Sequence, residues 1–252
     1  MLRHRGIKRT PRHNLRLATL LGLTAGYVNA AGFLGFAVLT TNVTGHAALF
    51  AESVAFQDWS TARVVALWMF LFLAGAFCSS LITTLMDKNS RFSYGLPILI
   101  EMAILLFTAT YGHKSDATIV SKEFFAGGLL FAMGLQNSLV SVISGSVVRT
   151  THLTGTFTDL GIELAQLIGR KVKDRSILKS KILLRLFIIG SFMAGAILGA
   201  YIFYHREFQS FFIPVFVLFF ALLYDLFRIK AQRYYHSAAK ALERSIKRKK
   251  LG

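Results

Sequence analysis

The chain has 252 residues, of which 54% are hydrophobic, 23 are phenylalanine and three are proline, and its mean hydropathy is +0.53. Charged residues make up only 16%, against about 25% in a soluble domain, and the single cysteine, Cys78, excludes an intramolecular disulfide and a cysteine-based metal site. The net charge of +17 gathers at the two ends and in Arg170–Arg185, beside long uncharged runs, which speaks against nucleic acid as a partner and for a membrane protein with its basic segments on the cytoplasmic face.

Residues 1–16 read as a basic cytoplasmic N-terminus. Their sequel, up to "LATLLGLTAGYVNAAG", mimics a signal peptide, but the apolar run exceeds a usual signal core, so cleavage is not expected. A helix needs about 20 apolar residues to cross the hydrocarbon core. Leu17–Leu39, Val64–Met86 and Gly95–Tyr111 meet or approach that length in a first repeat over 17–112. An external loop is expected over 113–123. Phe124–Val148, Leu186–Tyr204 and Phe211–Phe227 follow in a second repeat over 124–227. Residues 228–252 form a basic tail in which Tyr235, Ala239, Leu242 and Ile246 recur at helical spacing, as in an amphipathic helix lying on anionic lipid. The expected fold is therefore all-α, a polytopic transmembrane helix bundle of two homologous halves, with about six spans plus two short broken or re-entrant helices.

The halves are read from an ordered set of matches. "GYVN" at Gly26–Asn29 answers "GLQN" at Gly134–Asn137, and "TTNVTG" at Thr40–Gly45 answers "TTHLTG" at Thr150–Gly155. "FLAGAF" at Phe72–Phe77 answers "FMAGAI" at Phe192–Ile197, and Pro97 and Pro214 hold corresponding places. Three spans per half would invert the second copy, a common plan of secondary transporters with the substrate site at the midplane. Six spans with both ends inside put about 25 of the 29 Lys and Arg on the cytoplasmic side, but eight spans with parallel halves do equally well. The segments after the hexapeptides, His46–Phe56 and Thr156–Ile168, are short for a crossing, which favours re-entrant or interfacial half-helices.

The hexapeptides resist helix formation: threonine and valine are β-branched, and asparagine prefers caps and turns. Thr44 and Thr154 are the expected N-caps, with new helices beginning at His46 and Thr156. Irregular backbone at membrane depth requires protein or a watered cavity around it, and helix N-termini attract anions. The candidate substrate-binding residues are therefore Thr40, Thr41, Asn42, Thr44 and Gly45 with Thr150, Thr151, His152, Thr154 and Gly155, joined by Asn29, Gln136 and Asn137. Breaks and polar groups also serve plain helix packing, and that reading stands beside the binding one. Glu101, inside the third span, is the leading proton-coupling candidate, with a pair to Arg63 or His46 as the alternative. Glu52, Asp159 and Glu163, on the short helices, are secondary ones. No metal-ligand spacing, phosphate loop or nucleophile motif is present, so no cofactor, metal site or catalytic activity is expected.

The stretches "AGYVNAAGFL…TTNVTGH" and "MGLQNSLVS…RTTHLTGTFTDLG" resemble the YoaK family of bacterial multi-pass membrane proteins, over about Leu15 to Phe227. Where that family frequently has an acid this chain has Asn29, and where it frequently has asparagine this chain has His46. The resemblance implies a bacterial cytoplasmic (inner) membrane and no particular substrate. The function expected is a small-solute permease or secondary transporter, working by movement of one half against the other on a small polar or anionic solute. Its other partners would be the bilayer, anionic lipid at the basic termini and further copies of itself. The alternative is a non-transporting assembly or regulatory protein that docks through its basic tail.

Overall fold

The computed structural model describes residues 11–86, 92–113, 119–169 and 174–224. The expected amphipathic tail, Asp225 and the extreme N-terminus lie outside the described residues. The chain divides into two compact units, Met1–Leu218 and Phe219–Gly252. Of the second, residues 219–224 are described; they are helical, and Phe219 meets Phe220 edge to face.

The described residues of the first unit form helices joined by short breaks, with no strand among them: α1 Pro11–Phe36, α2 Val43–Ala55, α3 Trp59–Leu85, α4 Phe92–Tyr111, α5 Ile119–Ser144, α6 Leu153–Ile168 and α7 Arg175–Arg206. A 3-10 turn, Glu207–Phe211, follows α7 and leads to further helical residues, 212–218. Pro11 opens α1, where its missing N–H costs nothing. Asp58 caps α3 by accepting from the Thr61 amide at 3.1 Å, and bonding from Thr61 holds its carboxyl below the ordinary carboxylate range. Among the described residues, five stretches are long and apolar enough to cross a membrane: Asn14–Phe36, Trp59–Leu85, Ser93–Tyr111, Lys122–Ser144 and Arg175–Tyr224. The last has 50 residues, and the 3-10 turn divides it into the fifth and sixth of the expected spans. Several helices start earlier than their apolar runs: α7 begins at Arg175, because charged residues propagate a helix as well as apolar ones do.

The fold rests on two helix crossings, α1 on α7 and α3 on α5. A methyl group at Gly26 of α1 would stand 2.0 Å from the Phe192 carbonyl oxygen, and one at Gly195 of α7 would stand 2.0 Å from that of Leu23. In the other crossing, a methyl at Gly134 of α5 would stand 2.1 Å from the Phe72 carbonyl, and one at Gly75 of α3 would stand 2.1 Å from that of Phe131. Only glycine lets two backbones meet this closely, the device that packs helices where no hydrophobic drive operates between them.

Matched contacts also give the helix directions. Along α1 and α7 the partners rise together, Gly22 with Ser191, Gly26 with Phe192 and Ala196, and Gly35 with Phe203, so these helices run parallel. Leu71 with Gly127 and Gly75 with Phe131 make α3 parallel to α5. Between α1 and α5 the order reverses: Leu21 accepts from Gln136 and Phe36 stacks on Phe125, so α5 runs opposite to α1. Ile104 against Gly128 and Phe107 against Phe124 set α4 antiparallel to α5. The long helices thus alternate in direction along the chain, and neither α2 nor α6 adds a crossing. Alternating directions are what the six-span reading with oppositely directed halves requires.

Valine at Gly26 or Gly134 is expected to cost about 2–3 kcal/mol by overpacking. Gly161 and Gly190 have nothing within 4 Å of an added methyl, and alanine there is expected to stabilise by about 0.5–1 kcal/mol. Thermal unfolding of the detergent-purified protein measures both.

Candidate functional site

The first break folds back into the bundle. After α1, Ala37 takes φ +57° and reverses the chain. Thr40 then lies on Gly32 of α1, whose added methyl would meet the Thr40 methyl at 2.7 Å and Leu129 of α5 at 3.3 Å. Next, the Thr41 amide and hydroxyl both donate to Asn29 Oδ1 of α1, at 3.1 and 2.9 Å. The chain has therefore turned down beside the helix it has just left, from position 36 back to the level of 29. From there α2 rises antiparallel to α3, with the His46 ring 5.8 Å from that of Trp68. This is a re-entrant hairpin. At 13 and 16 residues, α2 and α6 reach about 20 and 24 Å, longer than the sequence runs implied yet short of a crossing of about 30 Å.

The cap positions differ from expectation. Asn42, not Thr44, is the N-cap of α2: its Oδ1 accepts from the Gly45 amide at 3.0 Å, and the helix starts at Val43. His152 holds the same place ahead of α6, which starts at Leu153, so Thr154 and Gly155 lie inside the first turn. The asparagine carboxamide reaches the third residue of its helix in the ordinary capping geometry, which leaves the threonines free to face outward. Thr44, Gly45, His152 and Thr154 are exposed, while Thr41, Thr151 and Gly155 are half-buried.

The second break has the same residue types with fewer bonds. Gly145 and Ser146 take φ +66° and +63° and reverse the chain after α5. His152 makes no side-chain cap bond, although its Nδ1 would lie 2.6 Å from a methyl at Gly155. Thr150 is fully buried and its Oγ1 has no hydrogen-bond partner; Thr40 is in the same state. Asn137 stands three residues after Gly134, as Asn29 stands after Gly26, but its buried Oδ1 accepts nothing. Gln136 is fully buried; its Nε2 donates to the Leu21 carbonyl at 2.9 Å and its Oε1 is unpartnered.

The acids separate into three environments. Glu101 is the tenth of the twenty residues of α4, fully buried, with neither oxygen partnered. The expected pair with Arg63 or His46 does not form: Arg63 is exposed and donates to the Trp59 carbonyl, and His46 packs on Trp68. Asp159 and Glu163, one turn apart on α6, face Arg185 of α7 at 3.0 and 3.7 Å, so they hold α6 to α7. Glu52 is exposed on α2. Sequence reading missed Arg185 as their partner, although its place at the mouth of an apolar run that follows a short helix is a usable signal. No group of three or more potential metal ligands occurs among the described residues.

Asn29→Ala removes the acceptor of two bonds, and a loss of about 1–3 kcal/mol is expected. Asn137→Ala removes an unpartnered oxygen and is expected to cost under about 1 kcal/mol. Paired thermal melts of the two variants test the difference between the breaks.

No curated protein and no solved structure matches the chain. The model of the DUF1275 family, described as a protein of unknown function, matches residues 17–224, nearly the whole stretch that carries the paired motifs. With its two glycine-ended breaks on the ends of oppositely directed helices, the chain is a multi-pass helical membrane protein and belongs to the DUF1275 family.

Proposed function

We propose that the protein is a small-solute permease or secondary transporter, with its site at the two Thr-Thr-x-x-Thr-Gly breaks. The observation that carries this is the pair of short helices entering from opposite ends. The C-terminal end of α2 lies by the start of α3 and that of α6 by the start of α7, and α3 and α7 run in opposite directions. The N-termini of α2 and α6 therefore point in opposite directions, each from its own end of the bundle. Helices of about 20 and 24 Å bring both ends near the middle of a core of about 30 Å. Half-helix ends that meet at depth are a solute-binding plan in transporters, because their free N–H groups face a watered cavity.

Two further points support the reading. The crossings repeat each other residue for residue, Gly26–Phe192–Ala196 against Gly134–Phe72–Ala76, as an inverted duplication of 17–112 and 124–227 requires. Six crossings also bring both basic ends to one face, which the positive-inside rule makes cytoplasmic in a bacterial inner membrane. There the termini would meet anionic lipid.

The moving bodies of this transporter are not the sequence halves. Each half gives one helix to each glycine crossing, so motion of half against half would tear both crossings apart. The rigid units are α1 with α7 and α3 with α5, and the hinge lies between α1 and α5, where the bond from Gln136 to Leu21 and the Phe36–Phe125 stack join them. Glu101 is the proton-coupling group, an acid at mid-span with no partner among the described residues. Nothing in the mechanism requires catalysis.

In a Cys78→Ser background reconstituted into proteoliposomes, a short thiol cross-link between cysteines at 36 and 125 is expected to stop uptake. One between cysteines at 18 and 191, within the α1–α7 unit, should leave it intact. Equal inhibition by both would defeat the crossed-pair mechanism. Glu101→Gln is expected to leave solute binding in place and abolish uptake driven by a proton gradient, as measured with an imposed pH step.

A further inference from the structure

The two short helices are held to their neighbours by different chemistry. Ion pairs of Asp159 and Glu163 with Arg185 fix α6 to α7. Where α2 meets α3 there is a ring contact instead, the His46 imidazole 5.8 Å from the Trp68 indole with the two planes at 57°. His46 is 5% exposed, and its Nδ1 and the Trp68 Nε1 are both buried without a hydrogen-bond partner. Buried polar groups are nearly always partnered, so two open ones on adjoining rings call for a reason. The repeat itself does not supply one. Counted from the hexapeptide and from the "FLAGAF" match, the corresponding positions of the second copy are Thr156 and Ile188, neither of which takes up a proton.

The two rings suit each other in one protonation state only. An indole N–H is a donor and nothing else. A neutral imidazole can offer Nδ1 as an acceptor, whereas an imidazolium donates at both nitrogens. Protonation of His46 therefore sets N–H against N–H and brings a charge into a seam whose buried α3 residues are Ala62 and Val65. The indole face attracts a cation, but it cannot accept in the place of an oxygen or a ring nitrogen. No carboxylate compensates among the described residues. Glu52 of α2 is exposed; on α3, the helix that α2 packs against, Asp58 is taken up by the Thr61 amide and exposed Arg63 by the Trp59 carbonyl.

We propose that His46 and Trp68 form a proton-binding site that latches α2 to α3: the neutral pair holds the helices together, and uptake of one proton by the imidazole releases α2. The proton adds to a ring nitrogen of His46, and the indole keeps its own hydrogen. Docking is full above the ordinary histidine range of about 6.5 and weakens as the pH falls below it, because the charged form is the one the seam disfavours. Since α2 starts directly after the first break, its release reaches Asn42 and the Gly45 amide that Asn42 caps. The inference stands whether or not the protein carries a solute.

The test uses the full chain purified in detergent. Trp59 and Trp68 are its two tryptophans, so a Trp59→Phe background leaves Trp68 as the single reporter, and a charged imidazole quenches an adjoining indole. Between about pH 8 and about pH 5, Trp68 emission is expected to fall in one step. His46→Asn, and His46→Gln as a second variant, should remove the step. A Ser53→Cys, Cys78→Ser protein then reports the seam, because Ser53 is buried on α2. Its thiol labelling, taken as a ratio to the same protein carrying His46→Asn, should be near unity at high pH and rise at least about threefold at low pH. A cysteine at 191 in the α1–α7 crossing serves as the control for global unfolding, and its ratio should stay flat. An emission step that survives both His46 substitutions, or no step at all, overturns the proton site. A step with an unchanged ratio at 53, or a ratio at 191 that rises with it, overturns the latch.

Discussion

Everything in this fold depends on backbone meeting backbone at two glycine crossings. Inside a bilayer, lipid tails are as apolar as leucine, so helices gain little from burying apolar side chains against each other. What remains is van der Waals contact, which grows as the axes approach. Gly26 and Gly195 bring α1 and α7 together, and Gly75 and Gly134 do the same for α3 and α5. Because each crossing takes one helix from each half, the halves are interlocked. The outward faces of α3 and α7 are left to the lipid, with Phe70, Leu73, Phe77, Ile197 and Tyr201 all exposed.

The interlock also explains where irregular backbone is tolerated. The segment that returns after α1 passes between that helix and α5 at Thr40, which packs on Gly32 beside Leu129, so at that point the backbone meets protein and not lipid. Asn29 supplies the bonds that a continued helix would have made. A break in a lipid-facing position would leave those groups without partners at a cost of several kcal/mol each. The crossings therefore come first in the physical argument, since they create the sheltered groove in which a re-entrant hairpin is affordable.

Much of this was legible in the residues. The paired hexapeptides predicted breaks, and breaks are there. The match of "GYVN" with "GLQN" and of "FLAGAF" with "FMAGAI" singled out the residues that form the crossings. Length argued against a crossing by the segments after the breaks, and α2 and α6 are short, at 13 and 16 residues. The caps were placed two residues late, because a threonine before glycine and an asparagine two positions earlier are equally good caps on paper. Only the path of the chain decides which carboxamide can reach an amide. Glu101 was recognisable as an acid in an apolar run, but its isolation was not: pairing is a distance, and Arg63 turned out to be occupied with Trp59. For the same reason Arg185 passed as one basic residue among several.

By itself the sequence determined the class of the molecule, the number and order of its apolar helices, and the two places where the helix had to stop. These follow from local causes: hydropathy over twenty residues, β-branching, and the absence of a side chain at glycine. Only the tertiary structure decided which long helices run parallel and which antiparallel, and that α1 meets α7 and α3 meets α5 at glycine. Those are relations between residues as far as 183 positions apart, as with Tyr27 and Ser210. No local propensity carries them; they are set by which glycine faces which carbonyl once the helices have met.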